Sequence, residues 1–258
     1  MTRRKVIATA AAAAAAASAQ QTAGGPPQTL LLRRYQLRNS GDAMGATLAK
    51  FLELSKRPAL ERAGAQGLGF FSSFIGPNTP YHLTLESYPS LAALEEGMNR
   101  MAADRKFQAE LAAFNKAPGQ RFVRYSTQIL RGFTGFPGVV APPPAKTARL
   151  FELRTYESDD ATTLADKIRM FNEGEIAIFE KTGLNPVFFG ETIIGEKQPN
   201  LTYLLWYDSL AAREANWSRF VAHPEWLKLR ATPGWSDAEI VSNISNSLLR
   251  PLPFSPIR

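Results

Sequence analysis

The second half of this 258-residue chain repeats the first. Tyr88-Pro-Ser-Leu-Ala-Ala-Leu-Glu95 returns as Tyr207-Asp-Ser-Leu-Ala-Ala-Arg-Glu214, an offset of 119 positions (207 minus 88). The same offset pairs Ile75-Gly76 with Ile194-Gly195, Arg100 with Arg219, Phe107 with Trp226, and Leu130-Arg131 with Leu249-Arg250. With a shift of about three residues, Tyr35-Gln-Leu-Arg38 also matches Phe151-Glu-Leu-Arg154. One register held across separated blocks marks a duplicated domain, not a short-period solenoid.

Each unit reads as β-α-β-β-α-β. In the first, residues 30–38 alternate as a strand and 43–61 form an amphipathic helix. Strands at 70–75 and 81–88 make a hairpin across Gly76-Pro-Asn-Thr-Pro80. Ser90 caps a helix, broken near Ala103-Asp104, that runs to 114, and 122–131 is the last strand. The second unit follows the same order. It has strand 150–156, helix 161–181, strands 186–194 and 201–207, helix 209–220 with a further turn from Pro224, and strand 238–250. This is the ferredoxin-like arrangement, one antiparallel sheet with both helices on one face. The expected fold class is α+β, with tandem ferredoxin-like domains at 29–131 and 148–250. A Pro/Gly linker at 132–147 joins them, and a proline-rich tail occupies 251–258.

Residues 1–19 read as a signal peptide. Arg3, Arg4 and Lys5 are its basic region, an alanine-dominated stretch follows, and Ala17-Ser18-Ala19 is the cleavage site, with 20–28 a flexible lead-in. The apolar stretch falls short of the roughly 20 residues that span a bilayer. Export to the periplasm or medium is expected, by the twin-arginine route or by general secretion. The chain has no cysteine, which excludes disulfides, thiolate nucleophiles and iron–sulfur clusters. Three of the charges behind the net +7 are Arg3, Arg4 and Lys5. The others are interspersed with acids, so no nucleic-acid partner is expected. No membrane span is expected either, and association into a homo-oligomer stays open.

Phe151-Glu-Leu-Arg-Thr-Tyr156, the run from Tyr203 to Trp217, and Pro224-Glu-Trp226 together resemble the NIPSNAP family. The first half is similar to a degenerate copy, with Met98 in place of Trp217 and Phe107 in place of Trp226. The resemblance implies a dimeric α/β-barrel fold in which two ferredoxin-like sheets face each other. It implies no settled activity.

Strand alternation sorts residues by face. Tyr35, Leu37, Leu83, Leu85, Val123, Tyr125 and Ile129 are expected under the helices. Arg34, Gln36, Arg38, His82, Thr84, Glu86, Arg124, Ser126 and Gln128 are expected on the opposite face. In the second copy that opposite face holds Glu152, Arg154, Tyr156, Leu201, Tyr203, Leu205, Asn243, Ser245 and Ser247. If the sheets face each other, these polar residues line a shared cavity. The candidate ligand-binding set is Arg34, Arg38, His82, Glu86, Arg124, Glu152, Arg154, Tyr156 and Tyr203. Its arginines suit a small anionic ligand, and internal ion pairing is the competing reading.

His82 on that face is either a satisfied polar histidine or a base or haem ligand. No cofactor is expected, haem being the alternative, and no metal site. His223, just before Pro224, reads as a helix cap. Trp206, Trp217, Phe220 and Trp226 read as core, and Trp235 as partly exposed. No Gly-x-Ser-x-Gly, His-Glu-x-x-His or Walker motif is present. The expected function is binding of a small anionic ligand or a protein partner between the sheets. The alternatives are a monooxygenase- or isomerase-like enzyme in the same cavity and an assembly protein.

Overall fold

A computed structural model describes residues 25–39 and 43–258. The signal-peptide reading at 1–19 and most of the lead-in lie outside the described residues. Eight antiparallel strands close into one barrel. They are β1 (Thr29–Gln36), β2 (Gln66–Ile75), β3 (Tyr81–Tyr88), β4 (Arg124–Gly132), β5 (Leu150–Glu157), β6 (Asn185–Ile194), β7 (Asn200–Tyr207) and β8 (Asn243–Pro251). Their order around the barrel is β1-β3-β2-β8-β5-β7-β6-β4. Each half contributes a four-stranded ferredoxin-like sheet, and the sheets join edge to edge through β2–β8 and β4–β6. Closure leaves no unpaired sheet edge.

The duplicated sequence builds duplicated local structure. Ser90 and Ser209 cap α3 (Leu91–Ala103) and α7 (Leu210–Val221), accepting from Ala93 N and Ala212 N. Asp104 and His223, also equivalent, cap α4 (Arg105–Lys116) and α8 (Pro224–Leu229). His223 does so through Nδ1, 3.3 Å from Glu225 N. Between α1 (Met44–Phe51) and α2 (Arg57–Arg62) the backbone widens to π-helix at Leu52–Lys56. The same bulge recurs at Phe171–Glu175 between α5 (Ala161–Met170) and α6 (Ile176–Thr182). π-Bulges are rare and concentrate at functional sites.

The barrel interior is one apolar core drawn from both halves, including Leu30, Leu32, Leu83, Leu85, Phe151, Leu153, Phe188 and Leu204. The tail belongs to this fold: Ile257 is buried in the barrel core, and Ser255 Oγ accepts from Phe70 N at 2.9 Å. Phe133 and Phe136 of the linker are buried in the second half's helix–sheet core. Trp217 packs there with Phe220 and Trp226, as expected. Trp235 is buried in the same cluster at 7% exposure, not partly exposed. The stretch from 238 opens with a short helix, α9 (Asp237–Ile240), before β8 begins.

Strand register corrects the sequence alignment of the halves. Thr29 pairs with Tyr88 and Leu150 with Tyr207. The offset in the first strand is therefore 121, not 116, and Leu31-Leu32-Arg33-Arg34-Tyr35 is equivalent to Glu152-Leu153-Arg154-Thr155-Tyr156. The five-residue error is odd, and an odd slip exchanges the faces of a strand. The expected face of β5 is accordingly reversed, as is that of its ladder partner β7; in the first half β3 is reversed because His82, not Leu83, pairs with Tyr35. Glu152, Arg154, Tyr156, Leu201, Tyr203 and Leu205 lie under the helices, as do His82, Thr84 and Glu86. The leucines 83 and 85 point into the barrel.

Candidate functional site

Under the second half's helices, Glu152 is fully buried and accepts six hydrogen bonds. Its Oε1 receives Arg154 Nη1 (2.9 Å), Arg213 Nη2 (2.7 Å) and Asn246 Nδ2 (3.0 Å). Its Oε2 receives Tyr207 Oη (3.1 Å), Arg213 Nε (2.9 Å) and Trp217 Nε1 (3.1 Å). Burial alone would raise its pKa. The hydrogen bond from Arg213 and the charge of Arg154 outweigh it and bring the carboxyl down to about 2. Arg154 stacks on Trp217 at 4.4 Å and donates to Tyr156 Oη (3.2 Å), which also receives Tyr203 Oη at 2.9 Å. Beside it, the buried Lys167 ammonium lies 3.1 Å from Glu175 and 3.2 Å from Asp237. Burial works against that charge, but the two carboxylates hold Lys167 above its ordinary pKa. Every acceptor site of Glu152 is taken, so the cluster is a cross-brace between helix and sheet.

The first half carries a sparser version. Glu86 Oε2 accepts from Tyr88 Oη at 3.0 Å, as Glu152 does from the equivalent Tyr207. Arg213 and Trp217 are replaced by Leu94 and Met98. Glu86 Oε1 is buried without a hydrogen-bond partner, with Lys56 Nζ 3.6 Å away. Thr84 Oγ1 and His82 Nδ1 are likewise buried and unpartnered. His82 Nε2 lies 3.0 Å from Gly45 O, and burial keeps the ring's pKa low. His82 and Gly45 stand where the second half has Leu201 and Leu164, so the larger strand residue meets the smaller helix residue.

A third polar region lies where the two sheets meet at one mouth of the barrel. This cleft of about 70 Å³ is lined by residues from both halves, most of them equivalents of one another. Leu32 is the equivalent of Leu153, Ser126 of Ser245, and Gln128 of Ser247. At the rim, Asn78 and Lys197 sit at matching places in the two hairpin loops, both with φ near +60°. Each loop presses on the other half's strand: a methyl on Gly76 would lie 2.5 Å from Ser247 Oγ, and one on Gly195 would lie 2.8 Å from Gln128 Cγ. The cleft thus straddles the internal two-fold relation. Arg34 breaks the symmetry, because its counterpart is Thr155. Its guanidinium lies over the Tyr81 ring at 5.1 Å, and its Nε is buried without a hydrogen-bond partner.

The NIPSNAP family model matches residues 30–133 and again 151–256. The chain belongs to the NIPSNAP family. Among curated proteins none matches it. A structure from Lactobacillus acidophilus NCFM shares 12% identity over 86% of this chain and 93% of its own, with a TM-score of 0.53. An anthrone oxidase-like protein shares 10% over 87% and 91%, at 0.52. A NIPSNAP family protein of unknown function from Agrobacterium tumefaciens shares 19% identity. It covers 44% of this chain and 97% of its own length, with a TM-score of 0.39. The first two likenesses carry the fold and nothing more.

In this NIPSNAP chain the candidate residues divide among separate places. Glu152, Arg154, Tyr156 and Tyr203 meet in the second half's cross-brace, and His82 and Glu86 lie under the first half's helices. Arg34 alone of the set lines the cleft between the sheets. Arg124 is exposed at the start of β4, on the same strand face as Ser126 and Gln128. Arg38 is exposed beyond β1, with Nη1 3.5 Å from Gln120 Oε1. Sequence reasoning missed Lys56, Arg213 and Lys167. The signal for Arg213 was present, since Tyr-Asp-Ser-Leu-Ala-Ala-Arg differs from the first copy at that residue, where Leu94 stands.

Proposed function

We propose that this protein is exported and is a binding module that holds a small anion, or the anionic group of a small molecule, in the cleft on the barrel axis, with Arg34 as the anchoring cation. The observation that carries this reading is Arg34, which stands in the shared lining where the second half has Thr155, and whose buried Nε has no protein partner. A guanidinium offers paired donors that suit carboxylate or phosphate. Ser126, Gln128 and Ser247 supply neutral hydrogen bonds around it. A cleft of this size takes an anionic group with a few further atoms, well under the few hundred Å³ of a drug-sized site. Its titratable lining besides Arg34 is the rim pair Glu196 and Lys197, so the site favours binding over turnover.

Calorimetric titration with inorganic phosphate tests the reading. Arg34→Met should weaken binding by roughly tenfold or more, the loss of one to two charge-assisted hydrogen bonds, with thermal stability preserved. Equal binding by both proteins rejects it.

A further inference from the structure

The two halves differ in the cleft at one cross-strand pair. In the second half Thr155 on β5 stands opposite Thr202 on β7, and their hydroxyls hydrogen-bond at 2.9 Å. The equivalent pair in the first half is Arg34 on β1 and Leu83 on β3. Two groups that satisfy each other are thus replaced by a cation and an alkyl chain, and a leucine side chain offers a guanidinium no acceptor. On its other side Arg34 stands opposite Ser126 of β4.

The apolar side extends beyond Leu83. Leu32 lies two residues before Arg34 on β1, on the same face of the strand. Leu32, Leu83 and Leu153 all belong to the barrel core and all line the cleft, so they form its inner wall. One face of the Arg34 guanidinium lies over the Tyr81 ring at 5.1 Å, which leaves its N–H edge for a ligand. The other charged residues of the lining are Glu196 and Lys197 at the rim, opposite in sign. The cleft therefore sets a single uncompensated positive charge beside a leucine wall.

Resting on the reading that Arg34 binds an anion, we propose that the ligand is a short-chain aliphatic monocarboxylate, its carboxylate on Arg34 and Ser126 and its alkyl chain against Leu32, Leu83 and Leu153. One carboxylate neutralises one guanidinium. A doubly charged anion would bring an unpaired negative charge against hydrocarbon, which desolvation penalises. A planar carboxylate also meets the N–H edge of a guanidinium with two parallel hydrogen bonds. Its alkyl chain displaces water from the leucines, and a cleft of about 70 Å³ limits that chain to a few carbons.

The test is calorimetric titration with acetate, propionate, butyrate and inorganic phosphate. It is run at constant ionic strength and mildly alkaline pH, where phosphate is chiefly a dianion. Affinity should rise about threefold with each methylene, the contribution of one buried CH₂. Butyrate should bind roughly tenfold tighter than phosphate. Arg34→Met should weaken every one of these anions by roughly tenfold or more. Leu83→Thr restores the second half's residue and should flatten the carboxylate series; should it fail to fold, the wild-type series decides alone. A flat series in the wild type, phosphate bound as tightly as butyrate, or an undiminished rise in folded Leu83→Thr overturns the monocarboxylate. If binding in those cases still depends on Arg34, the anion site itself stands. No binding of any of the four anions, or binding indifferent to Arg34→Met, overturns the anion reading and this inference with it.

Discussion

Glu86 and Glu152 bring the buried carboxylate of each half to matching places from different strands. Glu86 on β3 stands opposite Leu31 on β1, and Glu152 on β5 stands opposite Leu205 on β7. Leu31 is the equivalent of Glu152, and Leu205 of Glu86, so acid and leucine have changed places across one ladder pair. Both carboxylates still accept from equivalent tyrosines, Tyr88 and Tyr207. What the fold retains is one buried carboxylate beneath the helices, not the strand that carries it.

This relationship predicts coupling. Leu31→Glu buries a second carboxylate beside Glu86, and Glu86→Leu leaves Lys56 without its acid. Each single change should cost about 3 kcal/mol or more. The double variant recreates the second half's placement of acid and leucine on the ladder and should recover at least about 1.5 kcal/mol of the summed loss. Urea unfolding of the four proteins reads the cycle, and strict additivity would contradict the equivalence.

Glu152→Gln should be the most damaging single change in the second half. It leaves Arg154 and Arg213 buried without their anion, at a cost of about 3–5 kcal/mol. Trp217→Phe removes one donor of six and should cost only about 1–2 kcal/mol. Equal losses in chemical denaturation would show that Glu152 is not the hub.

The same carboxylate sets an acid limit. Its folded pKa, about 2, lies below its ordinary value of 4.5. A depressed pKa adds stability that is fully present above pH 4.5 and is lost as pH falls through 2. The difference amounts to roughly 3 kcal/mol. Between those values wild-type stability should fall more steeply than that of Glu152→Gln, measured by urea midpoints at constant ionic strength.

The rim glycines should respond unequally. At Gly76, with φ of 145°, a methyl would also meet Ser247 Cα at 2.9 Å, and backbone cannot step aside. Gly76→Ala should cost about 1–3 kcal/mol. At Gly195 the nearest atoms belong to the Gln128 and Thr192 side chains, which can turn away, so Gly195→Ala should cost under about 1 kcal/mol. Thermal melts of the two variants decide the order.

Architecture was legible in the sequence because duplication and turn chemistry are local signals. Ser90 and Ser209, the hairpin loops, and the caps at Asp104 and His223 all stand where their residue types indicate. Sidedness was not legible. Every residue of β3 is buried, since helices cover one face and the barrel core the other, and a strand buried on both faces loses its alternation. In β5 the match of Tyr35 to Phe151 looked better than the true match to Tyr156, because Leu31 had replaced the glutamate that would have anchored it. The site suffered most. Lys56 and Lys167 occupy inequivalent helix positions, so no repeat comparison could pair them, and Arg34 earned its place among the candidates through chemistry alone.

An anion held at Arg34 in the cleft on the barrel axis is open to direct test. The direct measurement is anomalous diffraction from a crystal of the protein soaked in selenate. Anion binding at Arg34 predicts a selenium peak inside the cleft within hydrogen-bonding distance of the guanidinium, absent in Arg34→Met. Selenium peaks confined to surface lysines and arginines, with the cleft empty, would contradict it.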